Sequence, residues 1–474
     1  MPLAVEATRD AMMIRVFKHY VPIAFLVLGL ADTLILLAAI TAGVLVRYGV
    51  TEHGFGLPAD FAPGGVTFTA VFFLAMFSLG LYQREYSRDL NTIFVRLVSS
   101  FGVALLALAL IYYVVPDLKI WRSAFIIAVV LALALILGLR LVFLKVYDLS
   151  ALKRRVLVIG AGRRAQRIAA LDEDEQPRGF QVIGYLPLTE RERLIADDRL
   201  VAGVNSLLDF ALDRGIEEII IAAEDRRGGL PIEALLACKL EGIAITDYSS
   251  FWERETGHVD LDALYPSWLV FSDGFSGGPV AMASKRSFDV LFSLVLLVLS
   301  LPMMALTVIA IRIESPGQVL YRQERVGRKG RPFTLLKFRS MQSDAENDGV
   351  PKWAAAGDSR ITRCGAFIRR ARIDELPQLF NVLKGDMSFV GPRPERPYFV
   401  KRLVENIPYY GERHRVKPGI TGWAQLNYPY GASVEDAKAK LQYDLYYVKN
   451  YTLFLDFIIM LQTARVVFWP EGVR

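Results

Sequence analysis

Residues that build metal centres and disulfide frameworks are scarce in this sequence. Its two cysteines, Cys238 and Cys364, lie far apart, and its four histidines, His19, His53, His258 and His414, form no cluster along 474 residues. A disulfide scaffold or a Cys/His metal site is therefore not expected. Acidic charge is short too: 49 Asp and Glu against 55 Lys and Arg leave a net charge of +6 and a pI near 9.1. No basic helix or RNA-binding motif accompanies that excess, so no nucleic acid is expected, and membrane lipid with anionic headgroups is the simpler partner. After residue 280 the chain contains neither a glycine-rich strand-to-helix loop nor a Tyr-x-x-x-Lys pair, which argues against reductase-type chemistry there. Apolar length is abundant. A 53% hydrophobic content and a mean hydropathy of +0.33 belong to a membrane protein.

Four apolar runs, near 21–46, 66–83, 97–115 and 124–144, approach or exceed the roughly 20 residues a spanning helix needs. Arg9, Arg15 and Lys18 precede them, Arg84, Arg88 and Arg96 lie between the second and third, and Arg140, Lys145, Lys153, Arg154 and Arg155 follow. This pattern predicts a four-helix transmembrane region over 1–150 with both ends in the cytoplasm. Asp32, inside the first run, is expensive there and should face a partner helix or a polar cavity. No short cleavable signal peptide is expected, because the first run is too long. A fifth run, 288–311, has spanning length, but Lys285 and Arg286 precede it and Arg312, Arg322 and Arg325 follow, so both flanks read as cytoplasmic. Pro302 removes a helical N–H and frees the carbonyl of Val298, which the Ser300 hydroxyl can help satisfy. A re-entrant membrane helix broken at Ser300 and Pro302 is expected. The stretch YTLFLDFIIMLQTARVVFW, interrupted by Asp456 and Arg465, is expected to lie along the same interface.

Residues 151–275 are polar and alternate short β-branched runs with helical stretches. RRVLVIGAGRRAQRIA reads as a strand, a loop Gly160-x-Gly162-x-x-Ala165 and a helix, and GFQVIGYL and IEEIIIAAE supply further strands. A Rossmann-like, doubly wound α/β domain follows. The glycine loop is a weak signal for a bound nucleotide. Where an acidic residue would hold a ribose the chain has Leu186-Pro187-Leu188, so a structural or regulatory module is expected.

The densest chemistry lies in RIDELPQLFNVLKGDMSFVGPRPE, residues 372–395. Leu376, Leu379, Phe380 and Leu383 mark one apolar helix face, Pro377 suits a first turn, and Gly385 suits a left-handed C-terminal cap. Asp374 is then a candidate N-cap, and Arg393 is presented by a stiff backbone between Pro392 and Pro394. An Asp-Glu pair opening a helix is by itself usually a capping device. Here Arg369, Arg370, Arg372, Lys384 and Arg393 surround it, and RQERVGRKGRPFTLLKFRSM adds Arg325, Arg328, Lys337 and Arg339 on a turn followed by a strand. Cations recurring on both sides of two acids suit a site for a diphosphate and a metal cation.

Residues 283–474 resemble the bacterial sugar transferases, the polyprenyl-phosphate hexose-1-phosphate transferases that initiate exopolysaccharide or O-antigen assembly. The resemblance rests on KRSFDVLFSLVLLVLSLP, YRQERVGRKGRPFTLLKFRSM with Asp344, RIDELPQLFNVLKGDMSFVGPRPE and RHRVKPGITGWAQ, in that order. It implies a small, mostly α-helical catalytic domain over 280–474, facing the cytoplasm at the bacterial inner membrane. The implied substrates are a UDP-sugar and undecaprenyl phosphate, with Mg²⁺ as cofactor. Asp374 would be the nucleophile of a covalent phosphosugar intermediate, Glu375 would hold the metal with Asp374, and Lys337, Arg339, Arg370, Arg393 and Lys417 would bind phosphate. A carboxylate that attacks phosphorus and leaves again splits one displacement into two in-line steps, and cations spread the charge of the transferring group. A homo-oligomer and contacts with other polysaccharide-assembly enzymes are conceivable partners. Two alternatives are a membrane-bound nucleotide-sugar dehydratase or epimerase, which can share the membrane helices and middle domain, and a non-catalytic assembly scaffold.

Overall fold

A computed structural model describes residues 13–16, 19–50, 61–82, 90–147, 153–174, 179–188, 194–201, 206–224, 229–264, 278–342, 360–429, 431 and 433–468. Asp344 and the side chain of Arg465 lie outside the described residues. The chain divides into two compact units, the first running to Thr256 and the second from Gly257 to Arg474, with a few residues near the N-terminus exchanged between them.

In the first unit, four long helices form from the apolar runs: α1 (Ile23–Val50), α2 (Phe61–Ser78), α3 (Leu90–Val114) and α4 (Arg122–Tyr147). In lipid every backbone polar group must be satisfied internally, and these Leu-, Ala- and Val-rich stretches achieve that as helices. Leu36, Ile40, Phe68, Phe72, Met76, Leu97, Phe101 and Ile136 interlock at their centre. Gly43 allows α1 to approach α4 closely, since a Cβ there would stand 2.4 Å from the Ala124 carbonyl oxygen. Asp32 faces a partner helix: it pairs with Arg140 at 2.6 Å and accepts from the Tyr82 hydroxyl at 2.7 Å. Arg140 and Arg96 are accordingly buried, Arg96 donating to the Leu79 carbonyl, rather than standing as flanking interfacial charges. With a fifth long helix in the second unit, five helices among the described residues are long and apolar enough to cross a membrane, and the chain is a membrane protein.

The α/β region carries β1 (Arg154–Ile159), α5 (Arg163–Glu173), β2 (Phe180–Leu186), α6 (Leu207–Asp213), β3 (Glu218–Ile221), α7 (Ile232–Leu240), β4 (Ala244–Asp247) and α8 (Tyr248–Thr256). Its four strands are all parallel in the order β2-β1-β3-β4, so the order reverses beside β1, as in nucleotide-binding folds. Gly160 ends β1 at φ 116°, where a Cβ would meet the backbone of Ala222 and Ala223 at 2.9 Å. Gly162 caps α5, and Ala165 is fully buried.

The second unit contains α9 (Pro279–Glu314), an antiparallel hairpin β5 (Leu320–Val326) and β6 (Pro332–Phe338), α10 (Arg363–Arg370), α11 (Gln378–Lys384), β7 (Ser388–Val390), α12 (Pro397–Asn406), β8 (Gly419–Thr421), α13 (Trp423–Asn427), α14 (Val434–Asn450) and α15 (Leu453–Phe468). The segment at 320–338 is thus two paired strands where a turn and one strand were expected. β7 and β8 pair in parallel. Val259 and Leu261 join the core of this unit with Leu379, Phe399, Leu441, Leu445 and Tyr446, and the Trp423 indole donates to the Gly257 carbonyl, so the unit begins upstream of the expected border at 280.

Helix α9 is continuous for 36 residues, longer than the expected run, and Pro302 lies within it. Ser300 donates to the carbonyl of Leu297 at 3.2 Å, not to that of Val298. Both ends of α9 are fastened to this unit. At one end Arg286 donates to the Val382 and Leu383 carbonyls, and Asp289 accepts from Ser388 Oγ and the Phe389 N–H. At the other, Met304 and Ile311 pack with Phe338, Ile368 and Ile373, and Glu314 accepts from the N–H groups of Arg363 and Cys364. In α15, Asp456 does not interrupt the apolar face from the solvent side; it is fully buried, paired with Lys285 at 2.6 Å and with the Tyr447 hydroxyl.

Candidate active site

The two acids sit in a 3-10 turn, Ile373–Glu375, between α10 and α11. Asp374 is therefore not the N-cap of the following helix; that position falls to Pro377. The reason is local. α10 ends on Ala371, and Arg372 takes the left-handed conformation, φ 58°, usual for a glycine just past a helix end. The reversal turns Asp374 and Glu375 inward, and both are buried. α11 buries Gln378, Leu379, Asn381 and Val382, while Phe380 of the expected apolar face is exposed. Gly385 closes the helix at φ 99°, as expected.

Asn381 joins α11 to the hairpin: its side-chain amide donates to the Thr334 carbonyl and accepts from the Leu336 N–H, as a neighbouring strand would. That register carries Lys337, the next residue on β6, to Glu375. Three cations converge on one oxygen of Glu375, Oε1: Lys337 Nζ at 3.0 Å, Arg393 Nη2 at 2.9 Å and Arg372 Nη1 at 3.8 Å. Asp374 differs. Among the described residues no hydrogen bond or ion pair reaches its carboxylate.

The titration of the two acids separates accordingly. Burial pushes the Asp374 carboxyl up, with Lys337 opposing and Glu375 adding to the rise. Glu375 is also buried, but Lys337, Arg393 and Arg372 together hold it well below the usual carboxylate range. Burial in turn lowers Lys337, against the pull of Glu375. A more basic, unengaged carboxylate stands beside one locked as an anion: the first is available to react, the second to organise cations.

Of the other expected phosphate ligands, Arg393 and Lys337 meet at Glu375, and a small cleft beside them is lined by Arg325, Gln378, Pro394 and Gly419. Three do not join the site. Arg339 is buried and spends its donors on the Ser315 and Pro316 carbonyls and the Ser315 hydroxyl, closing the end of α9. Arg370 lies on the exposed face of α10 with Arg363 and Phe367, because the turn at Arg372 aims that later arginine, not Arg370, at Glu375. Lys417 stands beside Gly385, at the end of α11 away from the acids. Sequence reasoning missed the parts played by Arg372 and Asn381; an arginine in the slot after a helix, where glycine is usual, was the available signal. Among the described residues no group of three or more His, Cys, Asp or Glu side chains forms a metal cluster. In the α/β domain the glycine loop keeps the expected strand–loop–helix arrangement, with the Glu224 carboxylate accepting from the Arg163 N–H at 2.8 Å.

Residues 280–470 match the bacterial sugar transferase family, and residues 78–227 match a family described as a CoA-binding domain. A UDP-N-acetylgalactosamine-undecaprenyl-phosphate N-acetylgalactosaminephosphotransferase of Aeromonas hydrophila is 42% identical over 240 residues, which are 51% of this chain and 56% of that protein. A UDP-glucose:undecaprenyl-phosphate glucose-1-phosphate transferase of Xanthomonas campestris pv. campestris is 29% identical over 98% of this chain and 97% of its own length. A protein of the same name from Caulobacter vibrioides is 37% identical over 254 residues, which are 50% of this chain and 95% of the relative.

Proposed function

The chain belongs to the bacterial sugar transferase family, and from that premise we propose that it moves hexose 1-phosphate from a UDP-hexose to undecaprenyl phosphate, the first committed step of exopolysaccharide or O-antigen assembly. The relatives named for glucose and N-acetylgalactosamine support a UDP-hexose donor. The observation that carries the mechanism is the split between the two acids: Asp374 unengaged with a raised pKa, and Glu375 clamped by three cations.

Asp374 attacks the phosphorus that bears the sugar; the bond to the bridging oxygen breaks, and UMP leaves as an anion. The phosphate oxygen of undecaprenyl phosphate then attacks the same phosphorus, and the Asp374 carboxylate departs intact. Both leaving group and acceptor are already ionised, so no strong general base is required. Lys337 and Arg393, oriented by Glu375, stand where charge develops on the transferring phosphoryl group. Asp374 and Glu375, two adjacent carboxylates, would hold Mg²⁺ together with the substrate phosphates. Bound there, it would neutralise diphosphate charge.

Four of the long helices would form an N-terminal transmembrane bundle, and α9 a re-entrant helix. The fastening of both α9 ends to the catalytic unit supports that topology, which keeps Asp374 at the cytoplasmic headgroup level of the inner membrane. The direct test incubates purified protein with a panel of radiolabelled UDP-sugars, measures UMP release and transfer to lipid, and looks by mass spectrometry for a phosphosugar adduct. An adduct on wild type and none on Asp374→Asn is expected; near wild-type turnover in Asp374→Asn overturns the assignment.

A further inference from the structure

The segment Pro392–Glu395 has few donors of its own, since neither proline has an N–H. Its four consecutive carbonyls are instead each taken by a different donor. Pro392 accepts from the Gly419 N–H at 3.0 Å, Arg393 from Arg413 Nη2 at 2.9 Å, Pro394 from Arg325 Nη1 at 3.0 Å, and Glu395 from the Val326 N–H at 2.9 Å. The arginine that grips Arg393 is itself held. Arg413 is buried, its Nε and Nη2 meet Asp444 Oδ2 at 3.0 and 2.7 Å, and its Nη1 donates to the Tyr410 hydroxyl at 3.0 Å. Asp444 is buried on α14.

Resting on the reading of Arg393 given above, we propose that Arg413, anchored by Asp444, is a positioning residue for the transfer reaction: it sets the main chain of Arg393 so that the guanidinium meets Glu375 and the substrate phosphate. A guanidinium suits this post because its planar fork bonds a carboxylate, a carbonyl and a hydroxyl at once; an ammonium has no such fixed fork. Small displacements of a charged group at a reacting centre carry large kinetic penalties, and supporting residues of this kind typically cost about 10- to 100-fold in activity when changed.

The test uses the full chain in nanodiscs. Arg413→Lys should lower kcat about 10- to 100-fold while KM for the UDP-sugar stays near wild type, and Asp444→Asn should give a smaller loss of the same kind. The discriminating measurement is the double variant. If Arg413 acts through Arg393, then Arg413→Lys introduced into an Arg393→Ala background lowers kcat no further. Losses that multiply would show Arg413 to be only structural and overturn the proposal. Should Arg413→Lys fail to fold, the same cycle is run with Asp444→Asn. Wild-type turnover in Arg393→Ala alone would instead overturn the role of Arg393, and the clamp's purpose with it.

Discussion

Replacing each of the two adjacent acids by its amide should produce opposite signatures in stability, although both changes remove activity. The Asp374 carboxylate is buried, has no hydrogen-bonding partner among the described residues, and is pushed up by burial. Asp374→Asn removes a charge that folding disfavours, so stability should stay within about 1 kcal/mol of wild type, on the favourable side. Glu375 is the hub of three cations, two of them within 3.0 Å. Glu375→Gln leaves Lys337, itself mostly buried, without its counter-charge. Breaking a buried pair from one side costs about 3–5 kcal/mol. Arg393 and Arg372 are 33% and 41% exposed and recover part of this through water, which brings the expected loss to about 2–4 kcal/mol. For a unit of this size each kcal/mol moves Tm by roughly 2–4 °C. Thermal unfolding in detergent should therefore show Asp374→Asn at or slightly above wild type and Glu375→Gln lower by roughly 4–16 °C, with UMP release measured in parallel. Equal Tm values for the two variants, or a destabilised Asp374→Asn, would refute the division of roles derived from their surroundings.

Three further outcomes are expected. A catalytic fragment beginning at Gly257 should be more stable than one beginning at Gly278, since Val259 and Leu261 are buried in its core and each contributes about 1.5–3 kcal/mol; both should bind membranes and release UMP, and equal Tm values would count against the upstream border. His414 is held down to about 4 by burial, with Arg413 adding to the shift. Its unfolded value is near 6.5, so the unfolded chain takes up the proton first, and stability is lost as pH falls from about 6.5 toward 4; the loss from pH 7 to 5 should be about 1–2 kcal/mol, and His414→Gln should flatten that slope in a pH series of melts. Finally, cysteines engineered near 284 and 316 should react with an impermeant reagent on the same membrane face, and labelling on opposite faces would make α9 a spanning helix.

The apolar runs, the strand–glycine-loop–helix pattern and the four ordered motifs were legible because they depend on local composition and spacing. Long runs must become helices in lipid wherever their neighbours lie, and Gly160 and Gly385 announce backbone turns by residue type alone. The candidate site was legible only as an inventory. Seven basic residues, Arg369, Arg370, Arg372, Arg325, Lys337, Arg339 and Arg393, look equivalent in sequence; folding sends Arg339 to cap α9, leaves Arg370 exposed, and brings Lys337, Arg372 and Arg393 to one oxygen of Glu375. A single left-handed residue, Arg372, made the difference between an N-cap and an inward-facing turn. Likewise Asp32 and Asp456 each look like a charge misplaced in an apolar run until Arg140, 108 residues away, and Lys285, 171 residues away, are seen to meet them. Local composition and spacing are enough to mark the long helices, the region that carries the chemistry and the residue types it uses. The tertiary structure alone decided which charge meets which, because that depends on register between elements distant in the chain, and in a low-dielectric interior such pairing decides which carboxylate is tied up and which stays unengaged.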